Sequence, residues 1–196
     1  RLTFDADMDI CPVWTPDGRR VVFASSRTGA YNLYARDVEG ADHDVRLTAG
    51  ANTQVPDSVT PDGTFIIGHE VRPQTASDLV RFALAPGAAA GPAAAAAIVE
   101  TPFEEWNGET SPDGRFIAYQ SEESGQSEVY VRPSDLAANA RWQLSSGGGA
   151  EPVWTRGGRE LIYRDAAQRL TAVPVETSGP VFRPGRPTTL DVTVES

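Results

Sequence analysis

Repeated four-stranded antiparallel sheets, an all-β fold, are what the sequence predicts, on three observations. A turn of the type Thr/Ser-Pro-Asp-Gly recurs as Thr15-Pro16-Asp17-Gly18, Thr60-Pro61-Asp62-Gly63 and Ser111-Pro112-Asp113-Gly114, with a decayed fourth copy, Thr155-Arg156-Gly157-Gly158. The last glycines of the copies stand 45, 51 and 44 residues apart, inside the roughly 40–50 residue period of propeller blades. An apolar run follows every copy, and 18 Gly and 15 Pro are spread through the chain, as many short elements joined by tight turns require. The architecture that meets all three is a β-propeller of about four blades, either a small ring of its own or part of a six-bladed one. Its repeats run approximately over 4–48, 49–101, 102–145 and 146–191.

Each element of the repeat has a local reason. In the turn, Pro sets φ at the second position, Asp hydrogen-bonds back to the backbone and Gly accepts the left-handed conformation that closes a hairpin. The strand before it carries Pro12-Val13-Trp14, Pro56-Asp57-Ser58-Val59 and Pro152-Val153-Trp154, with Gly108-Glu109-Thr110 in the third copy; proline fits the first residue of an innermost strand. The strand after it is continuously apolar (Val21–Ala24, Phe65–Gly68, Phe116–Tyr119, Leu161–Tyr163), which fits a strand covered on both faces. A third strand follows at Asn32–Ala35, Leu79–Phe82, Glu128–Val131 and Leu170–Val175. A shorter, more polar outer strand is read at Arg46–Thr48, Ile98–Glu100, Trp142–Ser145 and Thr188–Leu190, with a fifth copy at Arg1–Thr3. The Ala-rich stretch from Ala88 to Ala97 explains the one long spacing as a surface loop inserted in the second repeat.

Pro12, Trp14, Pro16, Asp17, Gly18, Arg19, Ser25, Arg27, Gly29, Leu33, Tyr34, Leu47 and Thr48 give the first repeat the pattern of the TolB-like β-propeller family, which the chain resembles over nearly its whole length. The stretch from Ser111 to Tyr163 is also similar to the C-terminal propellers of bacterial receptor-type serine/threonine kinases, through Ser124–Pro133, Trp142–Ser145 and Gly158–Tyr163. These resemblances imply an outward-facing sensor or interaction module in the periplasm or at the cell exterior, rather than one particular chemistry.

Composition narrows the classes. At 196 residues, 40% hydrophobic, the chain is long enough for a real core. Its net charge of −10 opposes attraction to nucleic acid or anionic lipid. All 17 cations are Arg, which removes the lysines of P-loop, kinase and Schiff-base chemistry. The single cysteine, Cys11, permits no internal disulfide, and its neighbours Ile10 and Pro12 favour a buried thiol. No apolar run reaches the ~18 residues of a membrane helix.

No catalytic constellation stands out. Gly125-Gln126-Ser127-Glu128-Val129 lacks the last glycine of a nucleophile elbow, and His43 and His69 fall in different repeats and read as loop histidines. Asp5, Asp7 and Asp9 alternate as hard-cation ligands do, yet Ile10 and Pro16 stand where an EF-hand needs its glycine and closing glutamate, so calcium is only a weak expectation. The loops that open on the ligand face of a propeller gather Asp5, Asp7, Asp9, Glu104, Glu105, Trp106, Asn107 and Glu151 from one kind of connection, and Arg27, His69, Glu70, Arg72, Glu122, Glu123 and Arg164 from another. That rim is acidic with one Trp and scattered Arg, a composition that suits a protein or peptide partner. The expectation is therefore a non-enzymatic binding module, with self-association through open blade ends. The alternatives are a metal-dependent propeller hydrolase or lactonase, and the propeller of a prolyl-oligopeptidase-like peptidase. Trp14 and Trp154, at equivalent repeat positions, and Trp142, on an outer strand, are expected to pack the blades.

Overall fold

The computed structural model describes residues 2–3, 6–40, 43–84, 95–179 and 181–193. Among them every regular element is a strand, and the strands form four antiparallel sheets. The first sheet holds β1 (Asp9–Trp14), β2 (Arg20–Ser25), β3 (Asn32–Asp37) and β4 (Val45–Arg46), paired in that order. The second holds β5 (Thr53–Val59), β6 (Phe65–Arg72), β7 (Ala76–Ala83) and β8 (Ala96–Val99). The third holds β9 (Glu105–Thr110), β10 (Phe116–Ser121), β11 (Glu128–Pro133) and β12 (Trp142–Gln143). In the fourth, β13 (Gly149–Trp154), β14 (Glu160–Asp165) and β15 (Arg169–Glu176) are followed by two short partners of β15, β16 (Arg183–Pro184) and β17 (Thr188–Thr193). We call these sheets blades 1 to 4.

The chain divides into two compact units, Arg1–Pro102 with blades 1 and 2, and Phe103–Ser196 with blades 3 and 4. In the first unit, Val22, Ala24, Leu33, Ala35 and Leu47 of blade 1 pack on Val55, Ile66, Val80, Phe82 and Leu84 of blade 2. In the second, Phe116, Ala118, Val129, Val131 and Leu144 of blade 3 pack on Trp154, Leu161, Tyr163 and Val173 of blade 4, with Phe182 filling the seam. β2 and β10 are buried along almost their whole length and β6 over Ile66–Gly68, which accounts for their unbroken apolar character, whereas β14 buries only Leu161 and Tyr163.

The repeated turn is built alike three times. Thr15 Oγ1 donates to Asp17 Oδ1 (2.6 Å), which also accepts the Arg19 N–H (3.0 Å), while Thr15 Oγ1 accepts the Arg20 N–H (3.0 Å). Thr60 with Asp62 and Ser111 with Asp113 repeat this at 2.6 Å each. The closing glycines have φ of 68°, 69°, 74° and 64° at Gly18, Gly63, Gly114 and Gly158, a region costly to a residue with a Cβ. In the fourth turn Thr155 keeps its backbone bonds to Glu160, but Gly157 supplies no carboxylate. A Cβ at Gly157 would meet nothing within 4 Å, and its φ is not left-handed. Gly157→Asp should therefore raise stability by about 0.5–1 kcal/mol, by restricting the unfolded chain and restoring the acceptor. A rise in the urea midpoint at unchanged slope would show it; a fall would contradict this account of the turn.

Several expectations need correction. Pro12, Pro56 and Pro152 do not begin their strands: β1, β5 and β13 each start three residues earlier, and the prolines stand at β-bulges, where a missing N–H is tolerated. Cys11 is exposed rather than buried, because it occupies the bulge of β1 at φ 50° on a sheet edge. Trp14 does not pack between blades: it is 56% exposed, whereas Trp154 is 6% exposed. His69 lies within β6 and not in a loop, while His43 does sit exposed before β4. Leu2 and Thr3 join no strand, and Arg1 falls outside the described residues. Most of the Ala-rich insertion also falls outside them, and its end, Ala96 and Ala97, opens β8.

Candidate functional site

The end of each blade opposite the Pro-Asp-Gly turn carries most of the charged residues singled out by sequence, and the structure joins many of them within their own blade. In blade 1, Arg27 donates to Ser25 Oγ (2.8 Å), Asp44 (2.7 Å) and Asp9 (3.2 Å), with its guanidinium 4.4 Å from the Tyr34 ring centre. This ties the start of β1 and the approach to β4 to the hairpin between β2 and β3. Burial pushes the Asp9 carboxyl up, but hydrogen bonds from Ser25, Thr3 and Arg27 outweigh it and hold it below the usual range.

Arg72 holds the same repeat position in blade 2. It reaches Glu70 (2.8 Å), Asp78 (3.3 Å) and Glu100 (2.7 Å). Glu70 also accepts from Gln54 (2.6 Å) and Asn52 (3.3 Å); burial raises its carboxyl, and these bonds together with Arg72 bring it below normal. Asp78, fully buried, is shifted the opposite way: desolvation exceeds the pull of Thr75 and Arg72. His69 Nδ1 lies 2.9 Å from Asp57 Oδ1, a pair between β5 and β6 that sequence reading did not find, because the two residues are twelve apart in the chain.

Blade 3 uses the same joint with its charges exchanged. By sheet register Glu123 takes the place of Arg27 and Arg141 the place of Asp44, and the two form an ion pair. The Arg141 guanidinium lies 5.2 Å from the Tyr130 ring centre, as Arg27 lies over Tyr34. In blade 4, Arg164 donates to Glu151 (2.7 and 3.1 Å) and to Gln168. Asn107 donates to Gln120 (3.0 Å) from the β9 bulge at φ 54°. Glu105, expected on the rim, is fully buried with Ser121 Oγ 3.4 Å away.

What stays outward is a smaller set. In the first unit these are Asp7 and Met8, the latter 62% exposed. In the second, Phe103 is 43% exposed, Trp106 and Glu104 are half-buried and Glu122 is exposed. The Glu122 N–H donates to the Glu104 carbonyl (3.2 Å), so these residues belong to one loop end. Asp5, the first of the alternating acids, lies outside the described residues. Asp9, the third, is committed to Arg27, and among the described residues no three His, Cys, Asp or Glu are grouped to hold a metal ion.

No protein-family model and no curated protein matches the chain. Solved structures do. TolB from Acinetobacter baumannii superposes with a TM-score of 0.68 at 17% identity, over 98% of this chain and 47% of its own. The periplasmic gluconolactonase of Pseudomonas aeruginosa gives 0.60 at 20% identity, over 93% and 57%. A structure of the nidogen/laminin complex gives 0.67 at 11% identity, over 96% and 66%. The chain thus spans about half the length of that TolB, and at these identities the likeness is one of fold. In fold, the chain is a TolB-like β-propeller, its described residues forming three antiparallel blades of four strands and a fourth of five.

Proposed function

We propose that the chain is a non-enzymatic binding module for a protein or peptide, on the periplasmic or outer side of a bacterial envelope. The observation that carries this reading is the outward set at the loop end of the second unit. Phe103 and Trp106 offer apolar and aromatic surface beside Glu104 and Glu122, while Glu123 is paired with Arg141 and Glu151 with Arg164. Such a patch suits a segment with an apolar anchor flanked by Arg or Lys, since aromatic anchors carry contact energy and complementary charge speeds encounter. The net charge of −10 favours the same class of partner. Similar-fold proteins support the reading, one of them solved in a complex with laminin.

The test is binding to an array of peptides of graded charge. Capture of basic peptides with an apolar residue, weakened by salt and reduced at least about tenfold by Trp106→Ala with Glu122→Arg, is expected. Turnover of a lactone or ester with capture of no peptide would contradict the proposal and favour a hydrolase.

A further inference from the structure

We propose that Asp78 is a buried proton-binding group that works as a latch on the outer strand of blade 2. With a proton bound it leaves Arg72 to clamp Glu100 and so hold β8; on losing the proton it draws Arg72 to itself and β8 loosens. The latch concerns blade 2 alone and is independent of the loop-end reading of the second unit.

Blades 1 and 3 show what this joint contains elsewhere. By strand register Asp78 takes the place of Asn32 in blade 1 and of Glu128 in blade 3. Opposite that residue blades 1 and 3 place a serine, Ser25 and Ser121, where blade 2 places Glu70. On the outer side they place Thr48 and Ser145, whose hydroxyls donate to the central side chain, and two residues later a glycine, Gly50 and Gly147, whose N–H it accepts. Leu79 pairs with Val99 as Leu33 bonds Leu47, which puts Glu100 at the position of the hydroxyl and Pro102, a residue with no N–H, at that of the glycine. Blade 2 thus has carboxylates in place of two hydroxyls and lacks a backbone donor.

Asp78 is left with few donors. It is 0% exposed, and the Thr75 hydroxyl (2.6 Å) and Arg72 (3.3 Å) both reach it at Oδ2, while Oδ1 has no partner among the described residues. Arg72 is shared with Glu70 (2.8 Å) and Glu100 (2.7 Å), so three carboxylates face one guanidinium. His69, next to Glu70 on β6, is bound to Asp57, and Asn52 and Gln54, on the side of β5, are uncharged and bound to Glu70. Desolvation, with Glu100 and Glu70 adding to it, pushes the Asp78 carboxyl above the ordinary range. Blade 1 meets the same burial with an amide: Asn32 Nδ2 donates to the Ala30 (2.9 Å) and Gly50 (3.2 Å) carbonyls. A proton on Oδ1 makes Asp78 a donor as well and removes one of the three like charges. Because the folded state holds this proton more tightly than the unfolded chain, stability is undiminished at ordinary aspartate values and falls as pH rises from there through the raised value of Asp78. Glu70, held below its ordinary value, loses its contribution only in more acid solution.

Carboxyl-carbon NMR from about pH 4 to about pH 9 tests this, with hydrogen exchange of the β8 amides over the same range. One aspartate signal, the one missing in Asp78→Asn, is expected to titrate above the ordinary range. Protection factors of the β8 amides should fall at least about tenfold as pH passes that midpoint, and should stay level in Asp78→Asn, which repeats the side chain of Asn32. Thr75→Val removes a donor to the carboxylate and should move the midpoint and the loss of protection to higher pH together. An Asp78 signal that titrates at or below the ordinary range overturns the proposal. So does β8 protection that ignores that midpoint, or a pH dependence that survives Asp78→Asn.

Discussion

Trp154→Ala is expected to lower the stability of the second unit by about 3–5 kcal/mol, the range for truncating a buried large aromatic. The side chain is 6% exposed and lies in a group of four aromatic rings. Phe182, 1% exposed, is the hub: its ring centre lies 5.3 Å from Phe116, 5.3 Å from Trp142 and 6.2 Å from Trp154, the last edge-on. Such pairs contribute about 0.5–1.5 kcal/mol beyond the area they bury. Truncation also leaves the Glu109 carbonyl without its indole donor. Trp154→Phe separates the effects, since it keeps most of the ring and loses the N–H; it should cost about 1–2 kcal/mol. Urea unfolding followed by circular dichroism measures both. A Trp154→Ala midpoint within experimental error of wild type would contradict the assignment of this seam as the core of the unit.

The second large effect is expected at Glu128, a carboxylate 1% exposed that holds the end of blade 3 together. It accepts hydrogen bonds from the Gly147 N–H (2.8 Å), the Gly148 N–H (3.0 Å), Gln126 (2.6 Å) and Ser145 Oγ. Ser145 Oγ in turn accepts the Val129 N–H at 2.7 Å. Blade 1 makes the same joint with a neutral side chain: Asn32 Oδ1 accepts from the Gly50 N–H (2.7 Å) and Thr48 Oγ1 (3.4 Å), and Thr48 Oγ1 accepts the Leu33 N–H (2.9 Å). Glu128→Ala strands the buried Ser145 hydroxyl and removes the acceptor of the half-buried Gly148 and the exposed Gly147 N–H groups, and should cost about 2–3 kcal/mol. Glu128→Gln keeps an acceptor oxygen, as Asn32 does, and should cost about 1 kcal/mol. Equal losses in the two variants would mean that volume, and not hydrogen bonding, decides the site.

The fold was legible because its signal is local and repeated. Pro16, Asp17 and Gly18 determine their turn through contacts within five residues, and the apolar runs of β2, β6 and β10 mark strands covered on both faces, while that of β14 buries Leu161 and Tyr163 and leaves Ile162 half-buried. What stayed hidden depends on neighbours distant in sequence. Trp14 and Trp154 have the same surroundings in the chain, yet only the second meets a carbonyl, 45 residues before it. Phe182 precedes an unremarkable Arg183-Pro184 and gave no sign of closing a core. The outer strands were readable, but they are shorter than expected, β4 and β12 ending just before the Leu47-Thr48 and Leu144-Ser145 pairs, and the use of those hydroxyls to receive the third strand was not readable.

The candidate site was legible in outline only. Its charges were found, but a row of Arg and acid does not reveal which are paired. Arg27 with Asp44, and Glu123 with Arg141, are each separated by 17 or 18 residues, and their exchange of sign becomes visible only when strand register aligns the blades. Once those pairs are set aside, the outward group on the second unit is Phe103, Glu104, Trp106 and Glu122.

Titrating the purified chain with a fluorescent peptide that carries one large apolar residue between arginines tests that reading most directly. Saturable binding is predicted, weakened as salt rises, unchanged by Arg27→Ala in the first unit and weakened at least about tenfold by Trp106→Ala with Glu122→Arg. Binding of undiminished affinity in the double variant, or the absence of binding to any charged peptide at low salt, would contradict it.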